Sequence, residues 1–188
     1  PGDRTAVAPA DDTRRGDMFM RVRTLLATAA LLATFAPSAA VAASATFVDR
    51  DGEPIGTAEL TQLPSGVLVE VDVRGLPAGE HAFHLHATGT CTPPDFESAG
   101  GHYADGKAHG FAHADGPHPG DFPNQFVGAD GRLRAHLFNA RLTLDGDRAP
   151  VFDADGSAFV IHAGADDYVS QPAGAAGPRI ACAVVDAD

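Results

Sequence analysis

Hydrophobic and polar positions alternate strictly over residues 67–73, where Val67, Val69, Val71 and Val73 interleave with Leu68, Glu70 and Asp72. That period of two predicts a β-strand with one buried face. Shorter segments of similar character cover residues 45–49, 55–63, 81–87, 133–138, 158–162 and 180–185, and 141–144 is a weaker one. No convincing amphipathic helix interrupts them. Many short strands separated by turn residues predict an all-β domain, an antiparallel sandwich or barrel.

Two stretches break the pattern. Residues 88–131 carry nine glycines and five prolines without a periodic apolar signal, and residues 163–178 are again rich in Gly and Pro. A compact domain rarely holds so long an irregular segment unless something other than an apolar core orders it.

The amino terminus reads as a separate region. Arg21 and Arg23 precede an 11-residue apolar run over residues 25–35, followed by Pro37 and the small-residue site Ala40-Val41-Ala42. This is the layout of a secretory signal peptide over residues 18–42, and the run is far short of the roughly 20 apolar residues of a membrane-spanning helix. Residues 1–17 then read as an upstream extension before a start at Met18 or Met20, and residues 43–188 as the working domain. Export to a periplasm or the extracellular medium is the expectation, with no stable membrane anchor.

Composition narrows the function. The chain has 188 residues and a formal net charge of −12; residues 43–188 hold eight Lys and Arg against 21 Asp and Glu, a net charge of −13. No basic stripe exists to bind a phosphate backbone, so nucleic acid is excluded as a partner. The two cysteines, Cys91 and Cys182, allow one pairing, and in an oxidising compartment they read as a disulfide.

Histidine is the unusual residue: all nine lie between His81 and His162. His84 and His86, two apart on a predicted strand, project from one face and can reach one ion. His102, His109, His118 and Asp121 offer four nitrogen or oxygen donors on the long loop, the number a closed tetrahedral zinc site takes. His162 ends another predicted strand. Imidazole donors without thiolate suit copper or zinc. His81 falls on the face opposite His84, and His136 on a solvent face, so both read as structural or exposed; His113, four residues after His109, is an alternative ligand to it.

Several motifs occur in a fixed order: Ala82-Phe83-His84-Leu85-His86, Cys91, Gly100-Gly101-His102, His109-Gly110, His118-Pro119-Gly120-Asp121, His162 with Asp166-Asp167, and Gly177-Pro178-Arg179-Ile180-Ala181-Cys182. Together they resemble the copper,zinc superoxide dismutase family, bacterial and exported in type, over nearly all of residues 43–188. The resemblance implies a Greek-key, immunoglobulin-like β-sandwich or barrel of about eight strands with two long functional loops. It implies one copper ion held by His84, His86, His102 and His162, and one zinc ion held by His102, His109, His118 and Asp121, with His102 bridging. It favours His109 over His113 because Gly110 follows. It further implies Asp166 as a carboxylate accepting hydrogen bonds from a ligand of each metal, and Arg179 as the cation that attracts and orients the substrate.

The implied reaction is disproportionation of superoxide to dioxygen and hydrogen peroxide, with copper redox-cycling, zinc structural, and His102 and Arg179 as the catalytic side chains. A homodimer is compatible with the sequence. The second loop has no lysine, so long-range attraction of the anion rests on Arg179 and the metals, with Lys107 as a further cation. A secreted copper- or zinc-binding protein of the same fold without turnover is the alternative.

Overall fold

The computed structural model describes residues 42–187. The upstream extension and all but the last residue of the expected signal peptide lie outside the described residues. Among the described residues there is no α-helix, and nine strands run β1 (Ala42–Asp49), β2 (Pro54–Leu63), β3 (Gly66–Val73), β4 (Gly79–His81), β5 (Phe83–His86), β6 (Gln125–Val127), β7 (Leu133–Asn139), β8 (Ala158–His162) and β9 (Arg179–Ala187). Seven form one curled antiparallel sheet in the order β5-β8-β9-β1-β2-β3-β7, and β4 pairs with β6. β9 returns from the far end of the chain to lie beside β1, the long-range connection that a Greek key requires.

The alternation that predicted β3 is realised: Val67, Val69, Val71 and Val73 are buried, while Leu68, Glu70 and Asp72 are half-exposed. They join Phe47, Leu60, Phe83, Leu85, Phe122, Leu133, Phe159 and Ile161 in the main core. Phe83 stacks on Phe159, with ring centroids 5.1 Å apart, and meets Phe122 edge-on at 5.4 Å. These rings pack the base of β5 and β8, the two strands buried on both faces.

Three expectations are corrected. Residues 81–87 are not one strand: the chain breaks at Ala82, whose N–H donates to Gly164 and whose carbonyl accepts from His162, so β4 and β5 enter different sheets. Residues 141–144 form no strand; Leu142 and Leu144 are buried from a loop joined by one bridge, Thr143 to Pro150. The long irregular segment does contain a strand, β6, too short to show a period.

The disulfide is present. Cys91 and Cys182 have Cα atoms 5.7 Å apart, inside the usual range. They pack with Phe96, Ala99, Ala158 and Val160 in a second, smaller apolar cluster that ties the start of the long loop to β9.

Candidate metal centre

β5 brings His84 and His86 into the interior, and its free edge is covered by the long loop rather than by another strand. The Leu85 N–H donates to the Gly120 carbonyl, the Tyr103 N–H donates to the Leu85 carbonyl, and isolated bridges join His84 to Asp121 and His86 to His102. The loop donors are thereby carried against the strand donors. β8 delivers His162 from the neighbouring ladder.

Hydrogen bonding gives each ring in this group a defined tautomer. His84 directs Nε2 at Asp166 Oδ2 (2.9 Å), His86 directs Nδ1 at the Gly100 carbonyl (2.9 Å), and His162 directs Nδ1 at the Gly177 carbonyl (3.1 Å). In each pair the ring nitrogen donates. The opposite nitrogens, His84 Nδ1, His86 Nε2 and His162 Nε2, are buried without a partner, and so is His102 Nε2. The four rings form a group whose ligand atoms all lie within 4.8 Å of one another. Buried polar atoms left unpaired are costly, and four lone pairs converging on one point are what a cation satisfies.

The loop side is organised around Asp121. Its Oδ2 accepts the backbone N–H of Gly110 (2.9 Å) and of His118 (3.0 Å). Its Oδ1 lies 3.1 Å from His102 Nδ1, 3.1 Å from His109 Nδ1 and 3.3 Å from His118 Nδ1. Donor atoms on a tetrahedral zinc ion with bonds of about 2.0–2.1 Å are about 3.3 Å apart, so this set has the right spacing. On this side His84, His102, His109 and Asp121 form a second group whose ligand atoms lie within 4.8 Å of one another; His118 joins through its contact with Asp121. His84 and His102 take part in both groups, and His102 does so with opposite ring nitrogens, Nε2 unpaired on one side and Nδ1 beside Asp121 on the other.

Electrostatics separate the rings. Burial pushes His102 down to about 4 and His162 down to about 3, and holds His86 well below its ordinary value, so these rings stay neutral and can donate lone pairs. Burial also opposes a charge on His109, but hydrogen bonds to Asp121 on one nitrogen and Asp166 on the other outweigh it and raise the ring to about 9. Asp121 and Asp166 are likewise buried, yet their histidine partners hold both far below the usual carboxylate range.

Asp166 touches both groups, through His84 Nε2 (2.9 Å) and His109 Nε2 (3.0 Å). Arg179 donates Nη1 to the Phe96 carbonyl and Nη2 to the Gly100 carbonyl (2.6 Å), the same oxygen that His86 Nδ1 faces. Its guanidinium lines a groove with Arg50, Asp95 and Glu97. His81 is buried rather than exposed, its ring between the His162 and Pro77 carbonyls. His136 is exposed beside Glu70, and the His113 ring accepts the Asp115 N–H, outside the donor groups.

The residues 54–185 match the family described as copper/zinc superoxide dismutase. The chain belongs to this family. Among its relatives, the Cu-Zn superoxide dismutase 2 of Aquifex aeolicus is 44% identical over 86% of this chain and 96% of its own length. The Cu-Zn superoxide dismutase of Caulobacter vibrioides is 42% identical over 72% and 80% respectively. A solved structure of a double mutant of a superoxide dismutase-like protein from Bacillus subtilis has a TM-score of 0.73 at 39% identity, covering 75% of this chain and 95% of that one.

Two supporting residues of this dismutase-family site were not foreseen. Asn124 grips the Asp166 backbone at two points, accepting its N–H (2.8 Å) and donating to its carbonyl (2.9 Å). Gln171 does the same to His109 (3.0 and 2.8 Å). Neither position carries a local signal, because an amide becomes a clamp only when the chain returns to it from some 40 to 60 residues away. Gly174, at φ +66°, is also required: a Cβ there would lie 1.8 Å from Asp166 Oδ1 and 2.7 Å from His109 Nε2.

Proposed function

We propose that the protein disproportionates superoxide, two anions and two protons giving dioxygen and hydrogen peroxide. The observation that carries this reading is the sharing of His102 between a set of four unpaired imidazole nitrogens and a set built on Asp121. The first set would hold copper, which would supply a one-electron couple, and the second would hold zinc, fixed in oxidation state, which would supply a constant charge.

The protein's own groups divide the remaining work. His84, His86 and His162, with tautomers set by Asp166, Gly100 and Gly177, would hold copper together with His102. His102 Nε2 is the atom that takes up and passes on a proton, while Nδ1 stays on the zinc side with His109, His118 and Asp121. Arg179, its guanidinium anchored by two carbonyls, attracts and orients the small anion. Asp166 fixes one ring of each set, and so sets ring orientation on both sides. In an acidic chain with no lysine in the second loop, the rate should vary only modestly with ionic strength; a steep fall with added salt would reveal a positive funnel elsewhere.

The deciding experiment measures superoxide consumption by the metal-loaded protein beside His162→Ala, with copper and zinc content of both. Activity and copper should be lost together, with zinc retained. Unchanged activity and copper would show the copper position to be wrong, and full metal content without turnover would favour a metal-binding protein of this fold. The same reading includes export after removal of residues 18–42, supported by the disulfide and the apolar leader; amino-terminal sequencing of the exported protein tests it.

A further inference from the structure

A cavity of about 280 Å³ opens where the long loop meets the β7–β8 connection, lined by Lys107, Arg141 and Arg148, with Asp105 as its one acid. That size is at the small end of ligand pockets, which run from about 300 Å³ upward. Pro117, Pro119 and Ala149 form its apolar wall. Residues 43–188 contain eight Lys and Arg against 21 Asp and Glu, and three of the eight cations gather here.

Among the described residues neither Lys107 nor Arg148 is in an ion pair, although Arg132 elsewhere pairs with Asp72 through Nε and Nη2. Arg141 Nε is buried with no hydrogen-bond partner. Its Nη2 reaches only the Asp121 carbonyl, at 3.5 Å, and its guanidinium lies over the Phe111 ring at 5.3 Å. Burial works against this guanidinium, with Asp121 a partial offset. Like charges lining one cavity raise the free energy of the empty site, and an anion there would lower it by charge-assisted hydrogen bonds.

We propose that this cavity binds a small organic oxyanion whose charged group meets Lys107, Arg141 and Arg148 and whose compact apolar body rests on Pro117, Pro119 and Ala149. Charge alone would favour any anion. The apolar wall selects for one carrying hydrocarbon, since its burial adds to affinity. The site is separate from the superoxide reading and stands or falls without it.

The test uses metal-loaded, reduced protein, following the Arg141 Nε–H and Ala149 amide resonances while benzoate, acetate, inorganic phosphate or sodium chloride is added. Benzoate should give a saturable shift and bind several-fold tighter than acetate or phosphate, with chloride giving none. Arg148→Gln and Lys107→Gln, both at exposed positions, should each weaken benzoate about tenfold. A shift that chloride reproduces, equal binding of acetate or phosphate and benzoate, or a benzoate titration unaltered in both variants would overturn the proposal.

Discussion

His84, His86 and His162 stand on β5 and β8, where ladder hydrogen bonds and a packed phenylalanine cluster hold the backbone before any metal arrives. His102, His109, His118 and Asp121 stand on a loop with little ladder of its own, held by single hydrogen bonds to the β5 edge, by the Gly110 and His118 amides on Asp121, and by the amide clamps of Asn124 and Gln171. The strand side is rigid because of its fold. The loop side is rigid only as far as its polar contacts reach, so its geometry depends on the disulfide, on Asp166 and on the metal itself.

The largest expected effect comes from cutting the covalent tie of the long loop. Replacing Cys91 and Cys182 by serine should cost roughly 2–5 kcal/mol of stability in denaturant unfolding. Zinc should be released more readily than copper; equal weakening of both would mean that the disulfide supports the whole sheet and not the loop in particular.

Next in size is the pH response of the metal-free protein, in which the depressed rings of both sides and the raised ring of His109 move in opposite directions. His86, His102 and His162 have folded pKa values below that of the unfolded chain, so their share of stability is intact above about pH 6.5. It is lost as pH falls toward about 4 and then 3, because the unfolded chain takes up protons first. His109, raised to about 9, adds stability that is full below about pH 6.5 and lost as pH rises through about 9. A loss on the order of 3 kcal/mol for each of His102 and His162 is expected between about pH 6.5 and about pH 4. Thermal unfolding across that range should show it, and His109→Gln should remove the loss on the alkaline side. A flat profile would contradict the burial of neutral rings.

Asp166→Asn tests the carboxylate common to both sides. Losing its charge should weaken metal retention about 10–100-fold, the usual range for a partner that orients a ligand. Zinc is expected to suffer more, since His109 has the looser backbone while His84 is still held by β5. Competition with a chelator reads each metal separately. The smallest effect is expected from Gln171→Ala, which removes both hydrogen bonds on the His109 backbone at an exposed position. Zinc release should speed up a few-fold with copper content unchanged, and Gln171→Glu should restore only the half that accepts the His109 N–H, consistent with about 1 kcal/mol per bond.

Legibility in the sequence followed the range of the interaction. The Val67 to Val73 alternation, the His84/His86 pair and the single possible cysteine pairing are local or combinatorial signals, and the folded chain realises all three. β6 escaped notice because three residues show no period, and the break at Ala82 because it is made by partners around Gly164 and His162. Asp166 was expected only through family resemblance. Asn124, Gln171 and Arg141 carry no pattern at all, since each acts on backbone or ring atoms far away in the chain.

Composition and spacing by themselves determined that this is an acidic, all-β chain rich in imidazole donors, because period, charge and residue counts belong to the sequence without any contact being formed. Tertiary structure alone decided which nitrogen of each ring is free, that His102 faces two donor sets, and that three cations of an acidic protein meet at one cavity. Those properties depend on hydrogen bonds and burial between segments tens of residues apart, and they exist only once the long loop has closed over the edge of β5.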